Sequence, residues 1–213
     1  MDIRIPKRAI IGGSFDPVHL GHLHLIHSIY ESTGISRITL IPAFINNFKQ
    51  DAKPAAPAHR RCEMLHLALT AYPALYPDDC ALRLDVDERE IRRGGVSYTV
   101  DTVEALRKED KMEDGERLGL VIGDDLIAGL DRWHRFSELA TQVVFLICRR
   151  LPKKPALPLP RQACAIYIDN PVHEDSSSMV RRKAASGADV SGLSAYLPGE
   201  VARYVLEHRL YGA

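Results

Sequence analysis

The stretch that decides the reading of this chain is Arg8-Ala9-Ile10-Ile11-Gly12-Gly13-Ser14-Phe15-Asp16-Pro17-Val18-His19-Leu20-Gly21-His22. Its first five residues read as a short strand buried on both faces, and Leu20 to Ser32 as a helix. A glycine- and proline-bearing loop joins them. The same alternation continues outward. Strands are expected at 37–42, 80–86, 118–122, 143–148 and 163–168. Helices are expected at 60–72, 98–109 and 125–139, the last interrupted near Trp133, then at 177–186 and 198–206. Strand and helix in alternation predict an α/β fold, a Rossmann-like open parallel sheet with helices on both faces. Residues 151–160 hold four of the thirteen prolines and read as a loop or spacer. The C-terminal helical part, about 176–213, is too small for a core of its own and is expected to pack on the same sheet. The expectation is one domain over residues 1–213.

Composition bounds the partners. The chain has 213 residues, of which 46% are hydrophobic and 26% charged, ordinary values for a globular protein. Lys plus Arg and Asp plus Glu are 28 each, so the formal net charge is zero. A dedicated nucleic-acid or membrane-surface binder would need a basic excess, so neither partner is expected. A small anion held by a few local cations is still compatible with that balance. The four cysteines, Cys62, Cys80, Cys148 and Cys164, form no C-x-x-C pair, which suits a reducing cytoplasm. No apolar run approaches the ~18 residues needed to span a bilayer, and the start lacks the long apolar stretch of a signal peptide. Oligomeric state is not set by any of these features.

The loop after the first strand is where chemistry is expected. In open parallel sheets, ligands bind beyond the carboxyl ends of the strands. Gly12 and Gly13 let backbone approach a ligand, and Gly21 offers no side chain to block one. A helix start near Leu20 aims free N–H groups and the positive dipole end at an anion. His19 and His22, three apart, project from one face of that first turn, and phosphate charge nearby favours their protonated forms. Taken singly, a glycine pair is a turn and a loop histidine is incidental. Metal binding by His19, His22, His24 and His27 is a further alternative, set aside because no carboxylate or thiolate joins them at ligand spacing. No protein-built metal site is therefore expected.

Residues 12–22, G-G-S-F-D-P-V-H-L-G-H, resemble the nucleotidyltransferase superfamily with the H-x-G-H signature, with Ser14 where Thr is usual. Within it the chain is similar to bacterial nicotinate-nucleotide adenylyltransferases. The further motifs are Ser97-Tyr98-Thr99-Val100-Asp101-Thr102, Ile122-Gly123-Asp124-Asp125, Leu130-Asp131-Arg132-Trp133, Ser176-Ser177-Ser178-Met179-Val180-Arg181 and the closing 205–211. That resemblance implies transfer of an adenylyl group from ATP, carrying Mg²⁺, to nicotinate mononucleotide. The products would be nicotinate adenine dinucleotide and pyrophosphate. It further implies that His19, His22, Lys49 and Arg181 stabilise the reacting phosphates. Gly12, Gly13, Ser14, Phe15, Gly21, Gly123, Asp125, Ser176, Ser177 and Ser178 would bind ATP. Ser97, Tyr98, Thr99, Trp133 and His134 would bind the mononucleotide.

Read locally, several of these residues have plainer roles. Asp175 to Ser178 could cap a helix, Thr99 could cap another, and Trp133 could belong to the core. Arg61 matches a family arginine and His59 is out of register with the family pattern, yet both read locally as exposed helix charges. Two departures from the family stand out: Asn46-Asn47-Phe48-Lys49 replaces Pro-Pro-His-Lys, and His134 replaces a common Tyr. Competing readings are transfer to nicotinamide mononucleotide or to pantetheine phosphate, and a catalytically silent nucleotide-binding regulator. The loop from Ala43 to Ala58 is a candidate for closure on substrate.

Overall fold

The computed structural model describes residues 3–45, 54–149, 158–171 and 175–213. Six strands form one parallel sheet: β1 (Ala9–Gly13), β2 (Arg37–Pro42), β3 (Arg83–Val86), β4 (Leu118–Gly123), β5 (Val143–Cys148) and β6 (Ala165–Ile168). Their spatial order is β3-β2-β1-β4-β5-β6. The chain builds outward from β1 to β3, then returns to add β4 on the other side of β1. Such a reversal opens a crevice at the carboxyl ends of β1 and β4, so the loops leaving those two strands face one another.

Every strand of the sheet centre is buried on both sides, which is why its sequence is a continuous apolar run rather than an alternation. Successive side chains still point to opposite faces. Val144, Leu146 and Cys148 join one core with Ala9, Ile11, Ile38 and Leu40. Val143, Phe145 and Ile147 join the other with Ile10, Ile41, Leu120 and Ile122.

Helices cover both cores. On the first face lie α1 (Leu20–Thr33) and α2 (Ala58–Leu75), whose Leu23, Ile26, Ile29, Met64, Leu65 and Ala68 turn inward. The C-terminal helices α6 (Ser177–Ala185), α7 (Val190–Ser194) and α8 (Gly199–Glu207) add Val180, Leu193, Val201 and Val205 to that same core, the packing expected from their size. On the second face lie α4 (Thr99–Glu109), through Val100, Val103 and Leu106, and α5 (Phe136–Gln142), through Phe136 and Leu139.

Several boundaries differ from the sequence reading. The 125–139 segment is a 3₁₀ run, Asp124–Arg132, followed by α5 after a break at Trp133. Helix α2 continues a turn beyond its apolar stripe, through Pro73 to Leu75. Two five-residue helices, α3 (Arg89–Arg93) and α7, had no sequence signal because each is too short to show a period.

Candidate active site

Helix α1 starts where β1 delivers the chain, and His19 is its N-cap in an extended conformation (φ −141°, ψ 170°). His22 sits one turn in, and its Nδ1 accepts a hydrogen bond of 3.2 Å from the His19 backbone N–H. The two rings lie 3.8 Å apart, centroid to centroid, and the buried Phe15 ring is 5.1 Å from His22. A bond accepted at Nδ1 places the ring proton of His22 on Nε2. With Nδ1 engaged by the backbone, Nε2–H is the donor that His22 can present to a ligand.

Gly21 has a second structural reason to lack a side chain. A Cβ there would lie 3.0 Å from Nδ1 of His19 and 3.5 Å from Cβ of Asp175, so the missing side chain makes room for the histidine itself. A Cβ built on Gly12 would meet nothing within 4 Å. Gly13 lies against the Phe15 ring, 3.3 Å from a built Cβ. The Phe15 side chain belongs to the core, which leaves only its backbone to meet a ligand.

The start of α6 meets this loop from the other side. Ser176 is the N-cap and accepts from the Met179 N–H. Ser177 Oγ donates to the Pro17 carbonyl at 2.9 Å. Arg181 donates to the Asp16 carbonyl at 2.7 Å and to Ser178 Oγ at 3.1 Å. Two helix N-termini, two histidines and a guanidinium thus share one crevice, a convergence of donors and positive dipole ends suited to an oligophosphate.

Three residues given no site role by the sequence reading hold the loop in place. Asp16, 5% exposed, accepts from the N–H groups of Ala55 and Ala56 and from the Tyr211 hydroxyl at 2.8 Å. Burial, with the Asp16 charge adding to it, pushes the Tyr211 phenol well above its usual range, so it stays a donor. Arg61 is not an exposed helix charge: it is 1% exposed and donates to the Ser14 and Ala43 carbonyls at 2.6 and 2.8 Å. Burial pulls its guanidinium down from the usual value, Asp16 opposing, yet an arginine remains charged. Their anchoring roles rest on partners distant in sequence, which local spacing does not show. His59 is exposed, as expected.

On the β4 side, Gly123 ends the strand and Asp125 stands exposed in the first turn after it. The rings of Tyr98 and His134 lie 4.1 Å apart, and Tyr98 and Trp133 both pack against the second core. Ser97 is buried, and its hydroxyl has no hydrogen-bond partner among the described residues. Thr99 does not cap α4: Tyr98 is the N-cap, with no side-chain bond. An isolated bridge from Ile45 to Val96 ties this segment to the end of β2. Lys49 and Asn46 to Phe48 lie outside the described residues, as does half of the 43–58 loop.

A cavity of about 440 Å³ lies at the opposite end of the sheet, lined by Ile5, Arg8, Arg37, Asp110, Met112 and Cys164. It borders the starts of the strands, far from the histidines. Among the described residues no group of three metal-ligating side chains surrounds the H-x-G-H loop; one, His27, Glu31 and Asp79, lies farther along α1.

Residues 10–183 match the cytidylyltransferase-like family model. The chain belongs to the cytidylyltransferase-like family. This family member is 34% identical over 203 residues, 95% of each chain, to a Borreliella afzelii protein named "Probable nicotinate-nucleotide adenylyltransferase". It is 38% identical to a Treponema pallidum protein of the same name over 144 residues, which cover 68% of this chain and 66% of that one. Its fold is similar to that of a Plasmodium falciparum nicotinic acid mononucleotide adenylyltransferase complexed with NaAD. There the TM-score is 0.73 at 20% identity, with 96% of each chain covered. No helix among the described residues is long and apolar enough to cross a membrane.

Proposed function

We propose that this protein transfers the adenylyl group of Mg-ATP to nicotinate mononucleotide, forming nicotinate adenine dinucleotide for NAD biosynthesis. The observation that carries this reading is the convergence of the α1 and α6 N-termini, with His19, His22 and Arg181, on the switch point between β1 and β4. The names of the relatives supply the acceptor.

An oxygen of the mononucleotide phosphate attacks the α-phosphorus of ATP in line, and the bond from that phosphorus to the β-phosphate oxygen breaks. Pyrophosphate leaves with the electron pair. The nucleophile is already anionic, so no strong general base is needed; the protein supplies alignment and donors for developing charge. His22 offers Nε2–H to the α-phosphate, and His19 lies beside it. Arg181, the α6 amides and Ser176 to Ser178 receive the β- and γ-phosphates, with Lys49 as a further cation. Gly12, Gly13, Ser14, Gly21 and the Phe15 backbone line the nucleotide path, and Gly123 and Asp125 take the ribose side. Mg²⁺ arrives with ATP as part of the substrate. Trp133, Tyr98 and His134 form an aromatic wall for the cationic pyridine ring, where an indole face contributes ~0.5–2 kcal/mol. Ser97 and Thr99 complete that end. All of this takes place within a single domain over 1–213, and four cysteines outside any disulfide suit the cytoplasm.

The test is to incubate the purified protein with Mg-ATP and, separately, nicotinate mononucleotide, nicotinamide mononucleotide and pantetheine phosphate. Pyrophosphate and the coupled product are both quantified. Dinucleotide formed fastest with the nicotinate acceptor is the expected result. Product only with another acceptor, or with none, overturns the proposal.

A further inference from the structure

Away from the crevice, the second half of α1 carries His27 and Glu31, four apart and so on one helix face. The turn before β3 brings Asp79 against them from 52 residues away. One ligand atom from each of the three lies within 4.8 Å of the others. Nδ1 of His27 is 3.1 Å from both Asp79 oxygens. Two ligands ~2.1 Å from one tetrahedral ion stand ~3.4 Å apart, so this spacing is close to that of a shared metal.

The surroundings hold the ligands in place. Asp79 has a side chain only 1% exposed and also accepts from the Tyr72 hydroxyl. The Tyr76 ring stacks on the His27 ring at 4.5 Å and 22°. The remaining point is charge. A carboxylate this buried demands a cation, and His27 is its one ion-pair partner among the described residues. Among the described residues no Lys or Arg forms an ion pair with Asp79. Glu31, exposed at the rim, adds a second negative charge beside the first.

We infer that His27, Glu31 and Asp79 bind a divalent transition metal of the Zn²⁺ type, with water completing the coordination. One imidazole and two carboxylates suit such an ion better than Mg²⁺, which prefers oxygen alone. The Tyr72 hydroxyl would orient the Asp79 carboxylate, the outer support that ligating carboxylates ordinarily have. Bound there, the ion would pin α1 to the turn that feeds β3 and set a positive charge against the buried Asp79 carboxylate.

The experiment is calorimetric titration of metal-free full-length protein with Zn²⁺ and with Mg²⁺, paired with thermal unfolding. One Zn²⁺ per chain, a raised Tm and no comparable Mg²⁺ binding are expected. Glu31→Gln changes an exposed residue and keeps the fold testable; it and His27→Gln should each weaken Zn²⁺ by at least about tenfold. Cys80→Ser should bind as the parent does, because the exposed Cys80 thiol adjoins Asp79 but is outside the trio. Absence of stoichiometric Zn²⁺ binding overturns the inference. So does unchanged affinity in Glu31→Gln, or loss of binding in Cys80→Ser, which would mark an adventitious thiolate site.

Discussion

A single backbone N–H decides the chemistry of His22. Because the His19 amide occupies Nδ1, the outward nitrogen is a donor, and its loss removes one preorganised hydrogen bond from the transition state. His22→Ala should lower kcat by ~10²–10³ with the fold intact, measured by pyrophosphate release and circular dichroism. Gly21→Ala tests positioning rather than chemistry. The added methyl presses on the His19 ring, while alanine is the better helix former by ~0.5–1 kcal/mol. Turnover should therefore fall about tenfold or more while Tm changes little; unchanged turnover would mean the ring has slack. At this scale the sequence is uneven in what it reveals. The histidines, glycines and serines announce themselves because their spacing is local. Asp16 and Arg61 do not, since their partners at Ala55, Ala43 and Tyr211 are brought to them only by the tertiary fold.

Among the elements, the strands were the most legible: doubly buried runs such as Val143–Cys148 can hardly be anything else between turn signals. Short helices were not, and α3 shows why. Its five residues are held by their neighbours, above all by a hydrogen bond from Thr102 Oγ1 in α4 to Glu90 Oε1 at 2.7 Å. Burial pushes the Glu90 carboxyl above its ordinary value, with the Thr102 bond and Arg93 opposing. The folded state therefore holds this proton more tightly than the unfolded chain does. The Glu90 contribution to stability should therefore fall as pH rises through the carboxylate range. Glu90→Gln keeps the acceptor oxygen and removes the ionisation. In urea melts at several pH values, its stability relative to wild type should rise from pH 4 to pH 7. A pH-independent difference would show that the carboxylate pays no desolvation cost.

Taken as a whole, the molecule is a sheet whose two halves meet at β1, braced on one face by its C-terminal helices. That brace reaches the crevice through Tyr211, whose hydroxyl completes the set of donors on Asp16. Tyr211→Phe leaves a buried carboxylate oxygen short of a partner and should cost about 1.5–3 kcal/mol in denaturant unfolding. Turnover should fall as well, because Asp16 also anchors Ala55 and Ala56. Unaltered stability would mean that water replaces the phenol. The bond between Asp16 and Tyr211 joins residues 195 apart in the chain. A ribosome adding ~5–20 residues per second needs about 10–40 s to make that interval. Through that time the nascent chain carries its histidine loop without the brace, and the site ripens only as synthesis reaches the residue that locks it.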